Sequence, residues 1–372
     1  MSRIPLLLAC GLLLVLALVS PAEVAAQETM LTAQDQPVQV SLTPAYQRFE
    51  TNSQTATQWS TTLTWRIPLG DRVRVLGQAQ AARSDSEIGA AVQGMDDARL
   101  GLVYAQPVGR GSLVGRVDVG VPVGKSALAV EELQTVRLTS WSFADFRVPG
   151  FGTGASVVPR LSYATPLGDR FVVGLGAAYQ FLGSYRPVEN ASRSYDPGDG
   201  VEVFGGFDAQ LSRTSAVALD LRYSRFGTAR SGRIDRLEPG TSFGGTVQYR
   251  YETDRQAVRV EASYQNWDES SVQPYVVGPD AAASLSRQQL VPSRLRIHTS
   301  YQQRLGDRVV LRGRLGGAYY WATDLNDRKR VGVLTLRPAF RLSSAWTLTP
   351  IAQVAAGDLF GLTGGLRLGL QL

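Results

Sequence analysis

His298 and Ser300 flank Thr299, and these are the residues whose types and spacing come nearest to reaction chemistry. A histidine base that can take a serine proton is the minimum equipment for acyl transfer. Acidic groups suggest a second chemistry: Asp196, Asp199 and Glu202, or Asp324, Asn326 and Asp327, could offer oxygens to Ca²⁺, but neither set has the spacing of an EF-hand loop. With one histidine and one cysteine, Cys10, the chain cannot build a zinc cluster of ordinary composition. No metal site and no cofactor is expected. Whether His298 can act on Ser300 depends on the element that carries them.

That element is an extended strand. Leu295, Ile297, Thr299 and Tyr301 alternate with Arg294, Arg296, His298 and Ser300, so the His-x-Ser pair shares a face with arginines. The pattern recurs along the chain. Leu113, Val117, Val119 and Val121 oppose Arg116 and Asp118; Val217, Leu219, Leu221 and Tyr223 oppose Asp220 and Arg222; Leu366, Leu368, Leu370 and Leu372 oppose Arg367 and Gln371. One face is apolar and the other charged.

The 372 residues are 44% hydrophobic and 19% charged, too polar for a bundle of membrane helices and too apolar for a disordered chain. The only long apolar run is Ile4 to Val19. With Arg3 before it and Val24-Ala25-Ala26 after it, residues 1–26 read as a secretory signal peptide, and Cys10 lies inside the run. Removal of that segment leaves no cysteine, so burial and backbone pairing must hold the exported chain. Residues 27–36 form a short periplasmic segment, and 37–372 the folded unit.

A soluble sandwich would also alternate, but three features favour a transmembrane barrel. The apolar faces carry almost no charge, Arg48 and Arg225 excepted. The strands reach membrane-spanning length. Aromatic residues on the apolar register gather near strand ends, Trp59, Tyr179, Phe181, Tyr319 and Trp321 at one end, Trp65, Tyr104, Tyr163, Tyr249, Tyr301 and Trp346 at the other. Short turns alternate with long loops, and three turns share Leu-Gly-Asp-Arg, from Leu69, Leu167 and Leu305. The expected fold is therefore all-β, an antiparallel up-and-down transmembrane β-barrel with short periplasmic turns and long extracellular loops. Sixteen strands are expected, or fourteen if the segment Val38 to Phe49, which contains Pro44, does not pair.

In signal peptide, length, strand meander and long third loop the chain resembles the bacterial outer-membrane porins, although it ends in Leu372 where porins typically end in Phe. The Leu-Gly-Asp-Arg turns are similar to those of barrels for uptake of aromatic compounds. The porin resemblance implies an outer-membrane location, lipid and lipopolysaccharide as surroundings, insertion machinery that reads the C-terminal strand, and a homotrimer. His298-Thr299-Ser300 resembles the outer-membrane phospholipase pattern, but that family places the pair on the lipid side and follows it with Asn. Here the pair faces inward and Tyr301 follows, so an enzyme is not expected.

The inward register carries fifteen arginines, Arg66, Arg74, Arg99, Arg116, Arg160, Arg222, Arg250, Arg259, Arg294, Arg296, Arg312, Arg314, Arg337, Arg341 and Arg367. Five acids oppose them: Asp118, Glu202, Asp208, Asp220 and Glu261. Low-dielectric walls would focus this field on a water column, so a channel for small hydrophilic solutes with modest anion preference is expected. Loop 125–154 is the candidate constriction. Its segment Ala127 to Leu138 has helix propensity, and Glu131, Glu132 and Asp145 could face Arg294, Arg296, Arg312 and Arg314, as the porin resemblance implies; an ordinary external loop is the alternative. Two other readings stay open, a transporter for hydrophobic or aromatic compounds and a structural or secretion-partner barrel. Nucleic acid is excluded as a partner, because the cations alternate inward and do not cluster on a helix.

Overall fold

The structure, a computed structural model, describes residues 37–51, 54–141, 143–144, 146, 148–272 and 286–372. The signal peptide 1–26 and the segment 27–36 lie outside the described residues. Sixteen antiparallel strands close into a barrel. They are β1 (Gln39–Glu50), β2 (Thr55–Pro68), β3 (Val73–Ser86), β4 (Gly89–Met95, continued as Ala98–Val108), β5 (Gly111–Val121), β6 (Ser156–Leu167), β7 (Phe171–Leu182) and β8 (Gly200–Gln210). The second half comprises β9 (Ser215–Phe226), β10 (Ser242–Glu252), β11 (Gln256–Trp267), β12 (Arg294–Leu305), β13 (Val309–Tyr320), β14 (Lys329–Leu336, continued as Ala339–Arg341), β15 (Trp346–Gly357) and β16 (Phe360–Gln371). Each pairs with its neighbour in sequence, and β1 pairs with β16 from Gln39↔Gln371 to Glu50↔Phe360. No edge is left, as a sheet in lipid requires, since an unpaired backbone amide there costs several kcal/mol.

Sixteen is the even count expected, and the segment around Pro44 does pair as β1. Proline has no N–H to donate, and the β1–β16 ladder skips Thr43 and Pro44 while keeping one register on either side. Pro338 acts likewise in β14: the strand is interrupted there and resumes at Ala339. The tight turns follow from Gly70, Gly168 and Gly306, whose φ of 78°, 72° and 73° is a conformation that side chains rarely tolerate.

Outside, the alternation becomes an apolar belt. Leu175 and Leu315 are 69% and 64% exposed, and Trp59, Phe181 and Trp321 crown one rim while Tyr104, Tyr301 and Trp346 crown the other. Such a surface is stable only against hydrocarbon, so the barrel spans a lipid bilayer; closed single-chain barrels of this kind belong to bacterial outer membranes. Leu219, midway along β9, tests the assignment. Leu219→Arg should lower barrel stability by about 2–4 kcal/mol, the cost of arginine on the lipid face near the midplane. Urea unfolding in lipid vesicles reads the loss, and an unchanged midpoint would contradict the orientation.

Two expectations need correction. Arg83 to Asp96 reads as a loop, yet β3 continues to Ser86 and β4 begins at Gly89. Above the bilayer the outer face no longer needs apolar side chains, and Arg83 pairs there with Asp85 at 3.3 Å, so the ladder continues where the apolar pattern stops. The helix expected over Ala127 to Leu138 is α1 (Glu132–Thr139). Its first turn is lost because the backbone of Leu128 bonds Pro187 O and Glu189 N instead.

Three external loops contain unforeseen strands. Tyr195–Asp196, Ala229–Ser231, Ile234–Glu238, Ser270–Val272 and Ser286–Gln288 form a second five-stranded sheet. Beneath it Tyr195, Ala229, Leu237, Trp267, Val272, Leu290 and Val291 make a separate apolar core.

Candidate functional site

The inner wall is the candidate site, and its charge is unevenly distributed around the circumference. On β5–β11 arginines meet carboxylates. Arg116 binds Asp118 through two contacts of 2.7 Å. Glu202 lies between Arg160 at 3.2 Å and Arg222 at 3.6 Å, and the Arg160 guanidinium also stacks 5.1 Å from the Phe204 ring centre. Asp208 stands near Arg250, and Asp220 near Arg222, Asp208 and Glu261. Alternation explains these groupings, because inward residues on neighbouring strands lie opposite one another, as Arg222 does Phe204.

Another sector of the wall is different. Strands β12–β16 turn Arg294, Arg296, Arg312, Arg314, Arg337, Arg341 and Arg367 inward, and among the described residues no carboxylate shares that inner face. Neutral groups orient several of these guanidiniums. Arg312 donates to Gln302 Oε1 at 3.1 Å, Arg296 to the Tyr320 hydroxyl at 2.9 Å, and Arg314 lies 3.1 Å from His298 Nδ1. Arg312 and Arg314 are thus held in position by an amide and an imidazole.

His298 and Ser300 lie on this inner face, as the alternation requires. His298 Nε2 is 3.7 Å from Glu261 Oε2, and Arg259, Arg296 and Arg314 all stand close enough to act on the ring electrostatically. The imidazole thus lies within the lumenal charge network, with its hydrogen-bond contact at Nδ1.

Loop 125–154 is folded against the inner wall. Helix α1 packs on β4, β3 and β2, and the core joining helix to wall contains Val92, Leu128, Leu133, Val136 and Phe151. From the last turn of the helix onward, Leu138 and Phe143 reach Phe49 on β1, Ala56 on β2, Tyr320 on β13 and Val331 on β14, with Trp141 and Phe146 packed alongside. A loop that starts between β5 and β6 thus touches the opposite side of the barrel. Burying one such aromatic or aliphatic side chain stabilises by about 1.5–3 kcal/mol. Gln58, fully buried on β2, donates to Val148 O at 2.6 Å on the return limb.

The acidic candidates on this loop are placed otherwise than the aromatic ones. Glu132 is buried, its carboxylate 2.6 and 2.7 Å from Lys125 Nζ and accepting the Ala129 N–H at 2.8 Å. Glu131 is exposed, and Asp145 lies outside the described residues. Contacts across the lumen come from the aromatic segment. Sequence reasoning missed that segment, although Trp141, Phe143, Phe146 and Phe151 are a density of aromatic residues that a solvated loop has no use for. It also missed Asp97, an acid in the break of β4 that is almost wholly buried.

No protein-family model matches the chain, and no curated protein matches it. Solved structures are similar in fold. The monoaromatic hydrocarbon channel CymD is 12% identical, with 94% of this chain and 93% of that one covered and a TM-score of 0.46. An outer membrane channel from Pseudomonas putida F1 is 14% identical over 94% and 100%, TM-score 0.42. The translocator domain of the autotransporter NalP from Neisseria meningitidis is 8% identical over 94% and 92%, TM-score 0.34. The class defined by the fold is the outer-membrane β-barrel.

Proposed function

We propose that the barrel is a porin-like channel through which small hydrophilic solutes diffuse passively, with modest preference for anions. The observation that carries this reading is the wall sector β12–β16, which turns at least seven arginines inward and, among the described residues, no carboxylate. A low-dielectric wall focuses such a field into the lumen and raises the local anion concentration. Arg116, Arg222 and Arg259 with Asp118, Asp220 and Glu261 line the remainder, where charges are closer to balance. The channel is not an enzyme in this reading, because a hydrolytic His298 would need access to lipid and the residue faces inward. Lipid and lipopolysaccharide surround it, insertion machinery acts on β16, and three copies associate.

The measurement is the zero-current potential of a planar bilayer under a KCl gradient. Its sign should be that of chloride selectivity, and a cation-selective sign would overturn the proposal.

A second reading, transport of hydrophobic or aromatic compounds, draws on the aromatic segment of loop 125–154 that meets Tyr320. Liposome swelling separates the two. Small sugars should enter through an open pore and be excluded by a dedicated apolar path. A secretion-partner or purely structural barrel has only the external sheet in its favour.

A further inference from the structure

Loop 122–155 leaves β5 at Val121 and returns to the adjacent β6 at Ser156, a connection that by itself favours neither the lumen nor the outside. Its two limbs meet at one carboxylate. Asp97 Oδ1 accepts the N–H of Gly124 at 3.1 Å, and Oδ2 accepts those of Thr153 at 2.6 Å and Gly154 at 2.9 Å. Asp97 belongs to β4, the strand next to β5, at the break where the ladder is interrupted, and it is 7% exposed.

The junction is built closely. A side chain at Gly152 would collide with the Asp97 carboxylate, and the Gly152 N–H donates to Lys125 O at 2.9 Å, tying the limbs to each other. Hydrogen bonds to an ionised acceptor are roughly twice as strong as neutral ones, and three converge here on a group shielded from water. Farther along, the loop's contacts with the wall are apolar packing together with hydrogen bonds such as Gln58 Nε2 to Val148 O at 2.6 Å and Thr135 Oγ1 to Ala90 O at 2.7 Å. They can be made only by a loop that already starts inward, and the root is where that direction is set.

We propose that Asp97 is the clasp that turns this loop into the barrel. Loss of the clasp frees the limbs at 122–124 and 153–154, and the loop then swings off the inner wall as a hinged gate. Asp97 is a positioning residue, acting through the loop and not on a solute. The consequence for conduction rests on the channel reading, but the clasp itself does not.

The test is therefore made without current. Leu138, 1% exposed where the loop packs on the wall, is replaced by cysteine, and its reaction with a membrane-impermeant maleimide is followed in protein reconstituted into lipid vesicles. With Asp97 present the thiol should react slowly. Adding Asp97→Asn, which keeps the shape but loses the charge, should raise the rate at least tenfold, a population shift of about 1.4 kcal/mol. An equal rate in barrels that retain heat-modifiable gel mobility would overturn the proposal. Should Asp97→Asn fail to fold, Gly152→Ala, which presses on the same carboxylate, is expected to give the same rise, and an unchanged rate there would overturn it. A wild-type barrel that conducts nothing would defeat the channel reading and leave this result standing.

Discussion

A barrel carrying Arg312→Glu and Arg314→Glu should reverse the sign of its zero-current potential under a KCl gradient. Both residues lie on β13, in the wall sector β12–β16 where no carboxylate shares the inner face among the described residues. Their guanidiniums are oriented by Gln302 and His298, neutral partners that hold position without cancelling charge. Each substitution removes one positive charge and adds a negative one. Two unit charges 4 Å apart interact by about 4 kcal/mol at an effective dielectric constant near 20, so the double change exceeds what a modest selectivity represents. The chloride-to-potassium permeability ratio should fall by about tenfold or more, equivalent to about 1.4 kcal/mol. The matched control is the exchange Arg116→Asp with Asp118→Arg, which conserves charge within a bound pair and should leave the sign alone. Retention of chloride selectivity by the Arg312 and Arg314 double variant would place the selecting field elsewhere.

Deleting Ser126 to Leu138 should roughly double single-channel conductance, because ion flow is limited by the narrowest part of the water column. The deletion takes α1, its contacts with β2–β4, and the Leu138 side chain that seats against Phe49. Conductance recorded at one salt concentration measures the change directly, and an unaltered value would mean that the loop narrows nothing.

Alternation made the barrel legible before any coordinates. A strand with lipid on one side and water on the other must alternate, and Leu295 to Tyr301 and Val217 to Tyr223 do so with single exceptions at Thr299 and Ala218. The tight turns were equally readable, because a left-handed backbone at Gly70, Gly168 and Gly306 leaves few residue choices. Legibility ended where lipid ended. Above the bilayer β3 and β4 keep their ladder but lose the apolar pattern, and the five short external strands have no pattern long enough to detect. The inward face was recovered from parity alone, whereas its partition into a sector with carboxylates and a sector without them depends on which strands are neighbours. Asp97 gave no signal at all: an aspartate in a polar stretch looks the same whether it is solvated or holds three backbone amides.

The external sheet carries a consequence for anything that meets this protein from outside the cell. Its strands come from segments 183–199, 227–241 and 268–293, far apart in sequence and joined over a common apolar core. An antibody or bacteriophage that grips this surface would read a composite epitope, one that no synthetic peptide from a single segment reproduces. Escape by mutation would be constrained too, since altering one segment disturbs the footing of the other two.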